Sequence, residues 1–133
     1  MKLHALCASA VTLMLALSAP AKAGNVNREF IALATISYVV VQKCSDYEFV
    51  DNAARRGADK MGADFDTYAP AAMNAIFAIM DMEYNREKLI PEVTQKVRSD
   101  LGELADDLKK RGLAGFCKRY GTVMVSIDWM KRK

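Results

Sequence analysis

Apolar positions along the chain gather into five stretches, most of them at helical spacing. The first, from about Asn27 to Cys44, is apolar on nearly every side, through Phe30, Ile31, Leu33, Ile36, Tyr38 and Val39 to Val41. A helix of that kind belongs in the middle of a bundle. Asn25 or Asn27 can cap it, with Glu29 in its first turn. The β-branched run Ile36 to Val41 also suits a strand. The second stretch starts at Ser45 or Asp46 and carries Tyr47, Val50, Ala54, Ala58 and Met61 at steps of three and four, with Gly62 as a stop. A third helix is expected after Pro70, with Met73, Ile76, Phe77, Met80 and Tyr84 on its apolar face and an end near Ile90, ahead of Pro91.

The fourth stretch has the cleanest amphipathic pattern. It opens on Pro91, sets Val93, Val97, Leu101, Leu104 and Leu108 in a narrow stripe, and stops at Gly112. Lys109, Lys110 and Arg111 complement the C-terminal end of its dipole. The fifth, from about Gly115 to Met130, reads two ways. Phe116, Tyr120, Val123, Met124 and Ile127 keep helical spacing, while Val123, Val125, Ile127 and Trp129 alternate as in a strand. A strand here needs a partner, for which Ile36 to Val41 is the candidate. An isolated two-stranded ribbon is only marginally stable. The chain therefore reads as all-α: a small single-domain bundle of about four to five helices closed by one disulfide. An α+β fold with a short two-stranded ribbon is the alternative.

Residues 1–23 have the three parts of a cleavable signal peptide: basic Lys2, an apolar run from Ala5 to Leu17, and Ala21-Lys22-Ala23 before Gly24. The run is shorter than the roughly 20 apolar residues a membrane span needs. The protein is thus expected in the bacterial periplasm, with residues 24–133 as its one helical domain and no transmembrane segment. Cleavage would remove Cys7 and also His4, the single histidine. Cys44 and Cys117 remain, and two cysteines in an exported chain are expected to pair. Redox pairs usually sit close together as Cys-x-x-Cys, which argues for a structural bridge here.

Without histidine, the mature chain has no Ser-His-Asp or Cys-His arrangement and no histidine-ligated metal site. The glycines are scattered, so no phosphate-binding loop appears. Asp59, Asp64 and Asp66 surround one turn and could hold calcium, but they lack the Asp-x-Asp-x-Asp-Gly spacing and a distal Glu, and the turn reads better as a solvated loop in which Asp64 or Asp66 starts the third helix. Met80-x-Met82 could offer soft ligands to Cu(I), yet Met80 also falls on the apolar stripe of its helix. No cofactor, metal site or catalytic residue is assigned.

Charge divides unevenly. From Gly24 to Asp106 the chain has 9 basic and 14 acidic residues, and from Asp107 onward 8 basic and 2 acidic. The basic residues of that end are Lys109, Lys110, Arg111, Lys118, Arg119, Lys131, Arg132 and Lys133. They form a candidate patch for an anionic partner, unless they neutralise the acidic helices internally. Nothing in the pattern points to nucleic acid. In general build the chain resembles two groups of small exported helical proteins, the acid-stress chaperones of the periplasm and periplasmic immunity proteins. Both imply binding to another protein. No residue carries over from either, and a small carboxylate-dependent hydrolase or metal-binding protein is the alternative.

Overall fold

The computed structural model describes residues 19–133, with side chains from Gly24 onward. Most of the expected signal segment therefore lies outside the described residues. Helix α1 spans Ala19–Lys43, strand β1 Tyr47–Phe49, helix α2 Ala53–Met61, helix α3 Phe65–Ile79, helix α4 Pro91–Ser126 and strand β2 Met130–Arg132. A single 3₁₀ turn, Arg86–Lys88, separates α3 from α4. The helical bundle closed by one disulfide is thus the observed architecture. The ribbon is present too, but its residues differ from those expected.

Helix α1 is the central element its all-round apolar pattern predicts. Phe30, Ile31 and Val40 are buried on it. The β-branched run Ile36 to Val41 is helical. Thr35 and Ser37 are buried without penalty because their hydroxyls donate to the carbonyls of Ile31 and Ala34, at 2.9 and 2.8 Å.

The second stretch is not one helix. Tyr47, Glu48 and Phe49 pair antiparallel with Arg132, Lys131 and Met130. Asn52, in the left-handed region at φ 57°, then turns the chain into α2. The pairing is extended by Val50 N–H donating to the Trp129 carbonyl and Lys133 N–H to the Asp46 carbonyl. So short a ribbon persists because Tyr47 within it and Trp129 just ahead of it pack on glycines. Gly121 leaves room for the ring of Tyr47, and Gly57 for the indole of Trp129. The alternating run Val123 to Trp129 is the end of α4 and a turn, and only its last neighbour, Met130, enters the strand.

Helix α3 starts earlier than Pro70 implies. Asp64 is its cap, accepting from Thr67 N–H at 3.2 Å, and Pro70 is taken into the helix. It also ends earlier, at Ile79, because Asp81 adopts φ 55° and turns the chain away. Tyr84 therefore does not continue its apolar face. Ala71, Ala72 and Ala75 are fully buried, so α3 presents a smooth face that lets neighbouring helices approach closely.

Helix α4 opens on Pro91, as expected, and is broken at Gly112, where φ 73° and ψ 167° leave the helical region. That conformation is essentially restricted to glycine. The two arms do not continue in line. The Tyr120 hydroxyl donates to Asp107 Oδ2 at 2.6 Å across 13 residues. Thirteen residues of straight helix would separate those positions by about 20 Å, so the second arm folds back over the first. The core has two clusters. Phe30, Leu104, Phe116, Met124, Trp129 and Met130 form one together with Tyr47 and Val40. Ile31, the alanines of α3, Ile76, Val93 and Val97 form the other. Cys44 and Cys117 are bonded, with Cα atoms 5.6 Å apart, and tie the end of α1 to the second arm of α4.

Candidate functional site

The surface is indented where the ribbon meets α2. Trp129 is the hinge of this region. Asp128, at φ 61°, turns the chain after α4 and aims the indole inward between Gly57 and Phe30, whose ring centroid is 5.9 Å away. Trp129 is only 3% exposed, yet it walls two clefts. One, of about 430 Å³, is lined by Phe49, Val50, Ala54, Arg55, Phe65 and Trp129. The other, of about 340 Å³, runs between Leu33, Gly57, Lys60, Met61, Ile127 and Trp129.

The larger cleft is mixed: Phe49, Val50, Phe65 and Trp129 share its walls with Asp51, Asn52 and Arg55. Phe49 stands at its mouth 49% exposed. Across from it the Arg55 guanidinium lies 4.3 Å above the Phe65 ring and 3.2 Å from Asp66 Oδ1. The guanidinium thus forms a polar edge over an aromatic wall. The cleft can accept an apolar side chain and offers a guanidinium and nearby backbone polar groups around it.

The acidic turn is engaged locally. Asp64 caps α3, and Asp66 pairs with Arg55. Among the described residues no group of three or more His, Cys, Asp or Glu side chains is placed to hold a metal ion. Met80 and Met82 are about half exposed, and Met82 Sδ accepts from the Tyr38 hydroxyl at 3.7 Å.

The basic end is not one continuous block. Lys109, Lys110 and Arg111 occupy the last turn before the Gly112 break, Lys118 and Arg119 lie on the second arm, and Lys131, Arg132 and Lys133 belong to the ribbon and its end. Part of the charge is internally matched. Arg111 Nε is 2.9 Å from Asp107 Oδ1, and Lys131 Nζ is 3.3 Å from Glu48 Oε1. Arg119 and Arg132 stack 5.7 Å from the ring centroids of Tyr120 and Tyr47. Lys109, Lys110, Lys118 and Lys133 make no ion pair among the described residues.

Asp107 is the electrostatic centre of the α4 fold-back. The Tyr120 hydroxyl above all, and Arg111 and Arg119 behind it, hold its carboxyl below the usual aspartate value against the opposing effect of burial, which outweighs either arginine contact taken singly. Burial, then the Asp107 hydrogen bond and charge, push the Tyr120 phenol up. In the sequence Tyr120 falls on the apolar stripe of the fifth stretch. Its contact with Asp107 depends on the reversal at Gly112 and has no local signature. Phe49 was likewise hidden, because its stretch reads as helical.

No protein-family model matches the chain, and no curated protein or solved structure does either. None of the described helices is long and apolar enough to cross a membrane.

Proposed function

We propose that this is an exported, periplasmic protein that acts without catalysis by binding another protein, as an inhibitor or immunity protein does. The observation that supports this most is Phe49, half exposed at the mouth of a cleft of about 430 Å³ that combines apolar and polar walls and is floored by buried Trp129. An exposed aromatic beside a preformed pocket, with an arginine held at the rim, is the composition of a binding hot spot. The disulfide and the two glycine-seated aromatics fix the walls before any partner arrives, which lowers the ordering cost of association. A stress-chaperone role is the second reading, favoured by the Asp107–Tyr120 tether, which acid would release.

Site-specific photo-crosslinking tests the first reading. A benzoylphenylalanine replacing Phe49 is expected to give a discrete protein adduct in the intact cell envelope, and the same group at exposed Glu103 is not. Equal labelling from both positions, or adducts from neither, would sink the proposal. Amino-terminal sequencing of the protein from the periplasmic fraction tests export, with Gly24 as the expected first residue.

A further inference from the structure

We propose that the elbow at Gly112 docks the protein onto an anionic phospholipid surface. Residues 109–114 are all exposed, and because the second arm of α4 folds back along the first, they form a projecting tip. Leu113, at 54%, is the most exposed large hydrophobic side chain among the described residues. It stands one turn before Phe116 and Cys117, on the stripe that continues through Tyr120 to Met124. The stripe therefore overruns the body of the protein, and its first member points into solvent. A single exposed leucine means little by itself. Here it sits between the cations of both arms.

The charge at the tip is favourable for such a surface. Lys109 and Lys110 precede the break, and Lys118 follows it by one and a half turns, all three exposed and without ion pairs among the described residues. Arg111 and Arg119 share one carboxylate, that of Asp107, so this pair also leaves positive charge over. The remaining acid nearby is Asp106, at the base of the elbow one turn below Lys110. The shape decides between the possible anionic partners. A polyanionic chain is held best in a groove, where several side chains converge on it. A convex tip with an apolar apex and a cationic collar suits a fluid interface that the apex can enter while the lysines meet the headgroups. The attachment is peripheral and salt-sensitive, with each lysine near the surface adding roughly fivefold to the partition constant. It leaves the cleft beside Phe49 available, so it adds a location to the binding reading without depending on it.

Vesicle co-sedimentation tests this with the chain as isolated from cells. The protein is expected to bind phosphatidylcholine vesicles containing phosphatidylglycerol, not phosphatidylcholine alone, and to be released as salt is raised. Lys109→Gln with Lys110→Gln is expected to lower binding on the order of tenfold or more, and Leu113→Ala several-fold, with unchanged circular dichroism. Leu113→Trp gives a readout that keeps every charge: its emission should shift to the blue on anionic vesicles and be quenched by brominated acyl chains, while Trp129 stays buried. Absence of binding to the anionic vesicles would overturn the proposal. So would binding indifferent to Leu113, or equal competition by soluble polyphosphate together with an unshifted Leu113→Trp spectrum, since either places a polyanion at the elbow.

Discussion

Gly121→Ala should destabilise the protein even though it adds a better helix former. Gly121 lies in the second arm of α4, where Ala is favoured over Gly by about 1 kcal/mol. A Cβ there would stand 2.7 Å from Cε1 and 2.5 Å from Cε2 of Tyr47, and nearer still to Cζ. Carbon atoms in contact prefer about 3.5–4.0 Å, so the ring would have to withdraw by roughly 1 Å. It has little room to do so. Tyr47 is 6% exposed, its strand is paired with β2, and the half-cystine Cys44 anchors the chain three residues before it. Overpacking against a rigid ring belongs at the upper end of the usual 1–3 kcal/mol. With the propensity gain deducted, the net loss is about 2 kcal/mol, or roughly 10 °C in Tm for a domain of this size. Thermal and urea denaturation followed by circular dichroism would measure it. The decisive comparison repeats the substitution on a Tyr47→Leu background. With the ring gone, Gly121→Ala should become stabilising by up to about 1 kcal/mol, and the change of sign isolates the contact. If Gly121→Ala proves as stable as the parent with Tyr47 in place, the close approach of ring and helix is wrong.

Two further outcomes follow from the bridge and the tether. Replacing Cys44 and Cys117 together by Ser should lower stability by about 4 kcal/mol, since the bridge spans a sequence separation of 73. A urea midpoint that barely moves would mean the cross-link constrains little in the unfolded chain. The Asp107 carboxyl titrates below its unfolded value, so its stabilisation is complete above about pH 4 and is lost as pH falls through the folded value. Asp107→Asn should therefore weaken the protein at neutral pH and flatten its stability profile on the acid side, and parallel profiles for variant and parent would refute the tether. The Tyr120 phenol is shifted the other way, so its contribution persists below about pH 10 and fades above it.

What could be read from the residues was whatever is decided locally. The stripe Val93, Val97, Leu104 is buried as its spacing requires, and Pro91 and Gly112 delimit the first arm because each acts through its own backbone. Asp64 as a cap is also a local matter. Tyr47 and Val50 show where local reading fails. Their spacing suits a helix, yet β2, more than 80 residues further on, offers backbone pairing and Gly121 offers a seat for the ring. Tertiary pairing then outweighs propensity. The same holds for the candidate site. The pairing of Cys44 with Cys117 was legible from their number, once Cys7 is set aside with the expected signal, and the bond is present. The basic residues were legible as a block in sequence, but the chain reversal at Gly112 distributes them over an elbow, an arm and a ribbon. The cleft beside Trp129 joins residues from β1, α2, α3 and the turn before β2, and no stretch of sequence contains it.

Phe30 and Ile31 are neighbours on α1, yet one belongs to the cluster that includes the ribbon and the other to the cluster that includes α3. The two cores thus meet along α1, and α4 runs through both, with Val93 and Val97 in one and Leu104, Phe116 and Met124 in the other. The cross-link lies wholly in the ribbon half, so it guards that half against opening and leaves the α3 half to depend on packing alone. Damage to the alanine seam of α3 would therefore loosen the flank that no covalent bond holds, and through Phe65 it would reach one wall of the cleft.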